Sequence, residues 1–139
     1  MTPEDMADIH ARAMVVPRPW DAAAMRGLID ARGAVLVSEG MGFAPGRAVA
    51  DEAELLTIAV DPRVQGQGLG RTCLRRFEQA VQRRNADRIL LEVAATNEIA
   101  RNFYRSEGFS EDGVRRGYYR VDGAHSIDAI LMSKPLPRA

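Results

Sequence analysis

The clearest chemistry in this sequence lies in seven residues, Gln65-Gly66-Gln67-Gly68-Leu69-Gly70-Arg71, set between an apolar run and a long amphipathic segment. Glycines let a chain bring several backbone N–H groups close to one anion, and the positive end of a following helix adds to the attraction. A phosphate suits such a turn. The turn can equally be only a tight connection, and the residues alone leave those two readings level. A Walker loop requires Lys-Ser or Lys-Thr after its last glycine, whereas Leu69-Gly70-Arg71 follow Gly68 here, and the G-x-G-x-x-G order of dinucleotide sites is absent. Glu92 interrupts the apolar run Ile89-Leu90-Leu91-Glu92-Val93 and shares a strand face with Leu90 and Ala94. An ionised carboxylate there is costly unless solvated or paired, so it is a candidate proton acceptor. The alternative, an exposed glutamate on an edge strand, is disfavoured because both faces of the run look apolar. Tyr104, one helical turn after Ala100, offers a phenol as proton donor or else a core aromatic. The single cysteine, Cys73, lies at helical spacing with Leu69 and Phe77 and reads as a buried, inert thiol. His10 and His125 lack a spaced set of Cys, Asp or Glu partners and read as surface or turn residues, so no metal is expected.

These groups need elements to hold them. Thr2, Pro3 and Asp5 form a helix start, with Met6, Ile9, Ala13 and Met14 as its buried stripe, and Pro17 and Pro19 interrupt. A second helix opens at Asp21, runs through Met25, Leu28 and Ile29, and stops by Gly33. Residues 34–38 predict a strand, 39–42 a turn, and the segment to residue 50 a second strand made irregular by Pro45 and Gly46. Residues 53–60 (AELLTIAV) predict one strand with Leu56, Ile58 and Val60 on one face, closed by Asp61-Pro62. After the glycine turn come a helix over 68–84, a strand over 88–94 and a short helix over 97–107. That short helix has Ile99, Ala100, Phe103 and Tyr104 on its apolar side and stops at Gly108. Strands over 110–119 and 126–133, joined through Asp122-Gly123, complete the pattern.

At 139 residues, 46% hydrophobic and 27% charged, the chain fits one soluble globular domain spanning 1–139. Nineteen basic against nineteen acidic residues leave no positive field to hold a phosphate backbone, so direct nucleic-acid binding is not expected. No apolar stretch approaches the roughly 20 residues of a spanning helix, and the acidic start is unlike a secretory signal. A cytoplasmic protein with no membrane partner is the expectation.

Strand, Gln65-x-x-Gly68-x-Gly70, then helix resembles the coenzyme A pyrophosphate loop, Q/R-x-x-G-x-G/A, of the GNAT superfamily of N-acetyltransferases. IAVDP before the loop, LEVAATNEIARNFYRSEGF after it, and RRGYYRVDG with DAILM near the end resemble the bacterial ribosomal-protein-alanine N-acetyltransferases. The resemblance covers residues 53–135, and the front helices with PRPWD between them are consistent with it. It implies an α/β acyl-CoA N-acyltransferase fold: six or seven mostly antiparallel strands, four flanking helices, and a V-shaped splay between 53–60 and 88–94. Such a splay needs those two strands to be parallel neighbours joined by the long crossover helix.

The resemblance also implies acetyl-CoA as cosubstrate. The backbone of Ile58, Ala59 and Val60 would pair with its pantetheine arm, and Gln65, Gly66, Gln67, Gly68, Leu69, Gly70 and Arg71 would form the phosphate loop. Asn97 would contact the same molecule. Glu92 would be the proton acceptor working through water, Tyr104 the donor to the leaving thiolate, and a backbone N–H near Val60 the oxyanion holder. Tyr118 and Tyr119, with Arg115 and Arg116, would wall the acceptor groove; their alternative is a solvated strand end. Two departures stand out: Gly66 occupies a position often held by arginine, and the DGAHSIDAILM turn is longer than in typical members. The implied function is acetylation of a protein N-terminal α-amine, the N-terminal alanine of a small-subunit ribosomal protein. The alternatives are an acetyltransferase of the same fold acting on lysine or a small amine, and a non-catalytic acyl-CoA sensor.

Overall fold

The computed structural model describes residues 1–13, 21–120 and 122–137, with side chains throughout these except at 10–13. Helix α1 (Pro3–Ala13) opens on the predicted reciprocal cap: the Thr2 N–H donates to Asp5 Oδ2 at 3.1 Å, and the Asp5 N–H to Thr2 Oγ1 at 3.0 Å. Met6 and Ile9 are buried, while Met14, the interruption at Pro17 and Pro19, and most of PRPWD lie outside the described residues, as do the side chains of His10 and Ala13. Helix α2 (Ala22–Asp30) is capped by Asp21, whose carboxylate accepts from the Ala24 N–H at 2.8 Å. Four strands and a turn of 3-10 helix follow: β1 (Ala34–Glu39), β2 (Gly42–Val49), β3 (Glu52–Leu55), β4 (Ala59–Val60) and Pro62–Val64. Then come α3 (Leu69–Gln82), β5 (Arg88–Ala94), α4 (Glu98–Ser106), β6 (Ser110–Arg120) and β7 (Ser126–Pro135).

Among the described residues the strands form one seven-stranded sheet in the order β1-β2-β3-β5-β7-β6, with β4 paired to β2. Every pairing is antiparallel except β3 with β5, which is parallel and joined through α3, as the splay requires. Helices cover the sheet from both sides. Met6, Ile9 and Met25 of α1 and α2 pack with Phe43 and Ala59. On the other face Cys73, Leu74, Phe77 and Val81 of α3 pack with Ala44, Leu55, Ile89 and Leu91. Adjacent Phe43 and Ala44 thus enter different cores, as strand alternation demands, and each fully buried large apolar side chain contributes about 1.5–3 kcal/mol.

The segment predicted to be irregular at Pro45 and Gly46 is a continuous strand, because Gly46 lets Phe77 lie against the backbone. A Cβ there would stand 2.2 Å from the Glu54 carbonyl oxygen and 2.5 Å from the Phe77 ring. The irregularity falls instead on its partner. Residues 53–60 are not one strand: Gly46 pairs with Leu55 and Phe43 with Ala59, so two β2 residues oppose three, Leu56, Thr57 and Ile58. This is a β-bulge opposite Pro45, which has no N–H to give a ladder; its carbonyl accepts from Leu56 N–H at 3.0 Å. The extra residue reverses the alternation, sending Leu55 into the α3 core and Ala59 into the α1/α2 core.

Candidate active site

The bulge opens the sheet. The β3–β5 ladder ends at Glu54↔Leu90, after which β4 stays with β2 while β5 continues along β7 to Ala94. A cleft of about 750 Å³ occupies the divergence. Leu56, Thr57 and Ile58 line one wall, and Glu92, Asn97 and Tyr104 line the other. Arg115, Tyr118 and Tyr119 of β6 complete the lining. Seven of the candidate site residues named from the sequence therefore share one cavity: Ile58, Glu92, Asn97, Tyr104, Arg115, Tyr118 and Tyr119.

Glu92 is on β5, a central strand of the sheet that at this residue pairs only with Leu131 of β7 and is open to the cleft on its other side. Ile89, Leu91 and Val93 alternate into the core, which leaves Glu92 on the other face with its side chain 29% exposed. Its carboxylate is both solvated and paired, with Arg115 Nη1 3.3 Å from Glu92 Oε1. Tyr104, by contrast, is buried, and its ring stacks edge-on against Phe103 at 5.4 Å and Phe109 at 5.5 Å. Burial pushes its phenol well above the usual range, so the hydroxyl keeps its proton throughout the physiological range. Burial first, and then the neighbouring Glu92 carboxylate, raise the Tyr119 phenol to about 12. Half-exposed Tyr118 packs edge-on against Tyr119 at 5.1 Å, and the Arg115 guanidinium lies over the Tyr118 ring at 5.2 Å. One cleft thus holds a partly exposed carboxylate and a phenol that stays protonated, the two kinds of group that acid–base chemistry needs.

The glycine turn is next to this cleft in the chain and is not part of its lining. Gly66 and Gly68 take φ of +82° and +79°, a region that favours glycine, and both would-be Cβ atoms point into open space. Gly68 caps α3 without a side-chain bond, and Thr72 N–H makes the return bond to its carbonyl at 3.1 Å. The N–H groups of Leu69, Gly70 and Arg71 precede that bond and are the donors a helix start offers an anion. Gln65 turns back, its Nε2 donating to the Val60 carbonyl at 3.1 Å, so its side chain buttresses the end of β4. The Arg71 side chain pairs with Glu107 at 3.3 Å, which leaves its backbone N–H as its contribution to the turn. Asn97 caps α4 through Oδ1, accepting from Ala100 N–H at 3.1 Å, and also lines the cleft.

Other expectations divide. Cys73 is fully buried and its thiol is pushed up by burial, fitting an inert group. Ile99, placed on the apolar side of α4, is 86% exposed instead, because the helix buries Tyr104 and rests Ala100 and Phe103 against the core, turning residue 99 outward. Arg116 is exposed on β6 and does not line the cleft; His125 sits in an exposed turn beside Asp122, 2.9 Å away. Among the described residues no group of His, Cys, Asp or Glu is arranged to hold a metal, and no helix is long and apolar enough to cross a membrane. Sequence reasoning missed Asp61, Asp112 and Asp128. Asp61 is fully buried and holds the turn after β4, accepting from Arg63 N–H at 2.9 Å, Nε at 3.0 Å and Nη2 at 2.7 Å. Its signal was Asp before Pro62 at a helix start, a pattern read only as a strand end. Asp112 lines the cleft from a β6 register shift that no local pattern reveals.

Comparison with known proteins adds to this geometry. The model of the acetyltransferase (GNAT) family matches residues 4–109. Ribosomal protein bS18-alanine N-acetyltransferase of Escherichia coli (strain K12) is 44% identical over 95 residues, covering 68% of this chain and 63% of that protein. The match thus spans less than two thirds of that relative. N-alpha-acetyltransferase RimI of Mycobacterium tuberculosis is 37% identical over 137 residues, covering 92% of this chain and 83% of that one. The crystal structure of the ribosomal-protein-S18-alanine N-acetyltransferase from Escherichia coli superposes with a TM-score of 0.83 at 33% identity, covering 99% of this chain and 89% of that one.

Proposed function

This chain belongs to the acetyltransferase (GNAT) family, and from that premise we propose that it carries the acetyl group of acetyl-CoA to a protein N-terminal α-amine, the N-terminal alanine of a small-subunit ribosomal protein. The observation that carries the reading is the meeting of Glu92 and a neutral Tyr104 on one cleft, opened where β3 and β5 part. Two features fit the cosubstrate. The outward N–H groups at the start of α3, with left-handed Gly66 and Gly68, suit a pyrophosphate, and the stretch 58–60 diverging from β5 suits an extended arm.

Acetyl-CoA, when bound, supplies the acetyl group as a thioester. Glu92 holds a carboxylate where the acceptor amine must shed a proton, with water as the relay. Tyr104 holds a proton at its hydroxyl, available to a departing thiolate. The demand on Glu92 is modest for an α-amine, whose pKa near ~7.7–8.0 leaves it partly neutral at neutral pH; a lysine near ~10.4 would cost ~4 kcal/mol to deprotonate at pH ~7.4. The names of the relatives, both N-terminal acetyltransferases, agree with that chemistry.

The test is acetyl-CoA-dependent thiol release with a six-residue peptide bearing the ribosomal alanine N-terminus, beside the same peptide already acetylated. Turnover with the free N-terminus alone is the expected result. Binding of acetyl-CoA without turnover of that peptide would overturn the ribosomal assignment.

A further inference from the structure

Tyr118 and Tyr119 are sequence neighbours, and in a regular strand their side chains would point to opposite faces of the sheet. Both line the cleft instead, ring against ring. The cause lies in the register of β6 on β7. Arg115 pairs with Ala129 and Tyr119 with Ile127, so Arg116, Gly117 and Tyr118 all stand opposite the single residue Asp128. Gly117 turns this bulge at φ +62°, and its N–H donates to Asp128 Oδ1 at 2.7 Å. The Asp128 carbonyl meanwhile accepts from Ala95 N–H at 2.8 Å, at the corner where β5 gives way to Asn97 and α4. One residue therefore ties the aromatic wall by its side chain and the Glu92 strand by its main chain.

We propose that Asp128 is a positioning residue for acceptor recognition, its carboxylate holding the bulge that turns Tyr118 into the cleft beside Tyr119 and Arg115. Asp128 does not itself line the cleft, and it acts through Tyr118. The inference rests on the acyl-acceptor reading of the cleft. A charge-assisted bond to a backbone N–H fixes a bulge more firmly than a neutral one, and its loss frees Gly117 to reseat the strand.

The test compares wild type, Asp128→Ala and Asp128→Asn for peptide KM, kcat, acetyl-CoA affinity and exchange of the Gly117 amide. Asp128→Ala should raise the peptide KM roughly tenfold, leave acetyl-CoA affinity and kcat at saturating peptide within about twofold, and speed exchange at Gly117. Asp128→Asn keeps the Oδ1 acceptor and should restore KM to within about threefold of wild type. Gly117→Ala, whose Cβ would stand 3.0 Å from Ser126 Oγ at a left-handed φ, breaks the same bulge from the other strand and should reproduce the KM defect if the alanine variant of Asp128 does not fold. An unchanged KM in folded variants, a parallel loss of acetyl-CoA affinity and kcat, or an asparagine variant no better than alanine overturns the proposal. Absence of wild-type turnover with every amine overturns the acceptor reading instead, and equal Gly117 exchange in all three proteins overturns the bulge tie independently of activity.

Discussion

Glu92 and Tyr104 sit on one cleft in environments that treat charge oppositely: the carboxylate has water and Arg115 to stabilise it, and the phenol has Phe103 and Phe109. The division is compatible with the proposed roles, an acceptor that can ionise and a donor that stays protonated. Glu92→Gln should lower kcat/KM for the alanine peptide by about 100-fold or more, the lower range for a lost general base, and a change under about threefold in steady-state kinetics would remove it from that role. Tyr104→Phe keeps both ring contacts and loses only the proton source, so kcat should fall while acetyl-CoA affinity holds. The same residue carries a stability signature. Because burial raises the folded pKa of Tyr104 above the ordinary ~10, the unfolded chain ionises first as the solution turns alkaline. The stabilisation is complete below pH ~10 and is lost as pH rises toward the folded value, at about 1.4 kcal/mol per pH unit. Denaturant unfolding at pH 9 and pH 11 should show that decline in the wild type, with Tyr119 contributing up to its own value of about 12, and a shallower decline in Tyr104→Phe.

At the scale of elements, features set by neighbours in the chain were legible and features set by a distant partner were not. The Thr2–Asp5 cap, the Asp21 cap, the glycine turn before α3 and the stop at Gly108 each depend on a few adjacent residues, and each is where the sequence put it. The break at Leu56–Ile58 depends on Pro45, eleven or more residues upstream, and the shared facing of Tyr118 and Tyr119 depends on Asp128. Alternation within AELLTIAV or RRGYY carries no trace of either bulge. Of the candidate site, Glu92 and Tyr104 stood out as residues and both lie on the cleft, while Asn97 and the divergence that creates the cleft were readable only through resemblance. The glycine turn gives an element-scale prediction. A Cβ on Gly68 meets nothing within 4 Å, so Gly68→Ala acts through its φ of +79° alone and should destabilise by about 1 kcal/mol. Calorimetric titration should show a larger loss for acetyl-CoA, because relaxing that φ moves the N–H groups that an anion needs; unchanged affinity would remove the turn from the binding site.

Across the whole molecule, the splay leaves the two parts of the sheet sharing the core under α3 but little backbone pairing. The sheet crosses from β1–β4 to β5–β7 through a parallel ladder of only Glu52↔Arg88, Ala53↔Ile89 and Glu54↔Leu90. Ion pairs supplement it: Arg71 and Arg75 of α3 hold Glu107 at the end of α4, and Lys134 Nζ of β7 lies 2.8 Å from Glu78 Oε1 of α3. Glu107 is only 10% exposed, so this link joins the helix behind the glycine turn to the helix that carries Tyr104. A sheet opened along most of one seam loses backbone pairing there, and a ligand with an extended amide-bearing arm is the natural substitute. Binding should therefore stabilise the fold as a unit. At 100 times its Kd, acetyl-CoA contributes about 2.7 kcal/mol by linkage, which for a chain of this size raises Tm by about 8 °C. Thermal unfolding with and without acetyl-CoA measures this directly, and Gly68→Ala at the same ligand concentration should show a smaller rise. Hydrogen exchange locates the effect: protection should grow at 56–60 and along β5 beyond Leu90, the two edges that face each other across the gap. A Tm rise with no added protection on those edges would place the cosubstrate somewhere other than the splay.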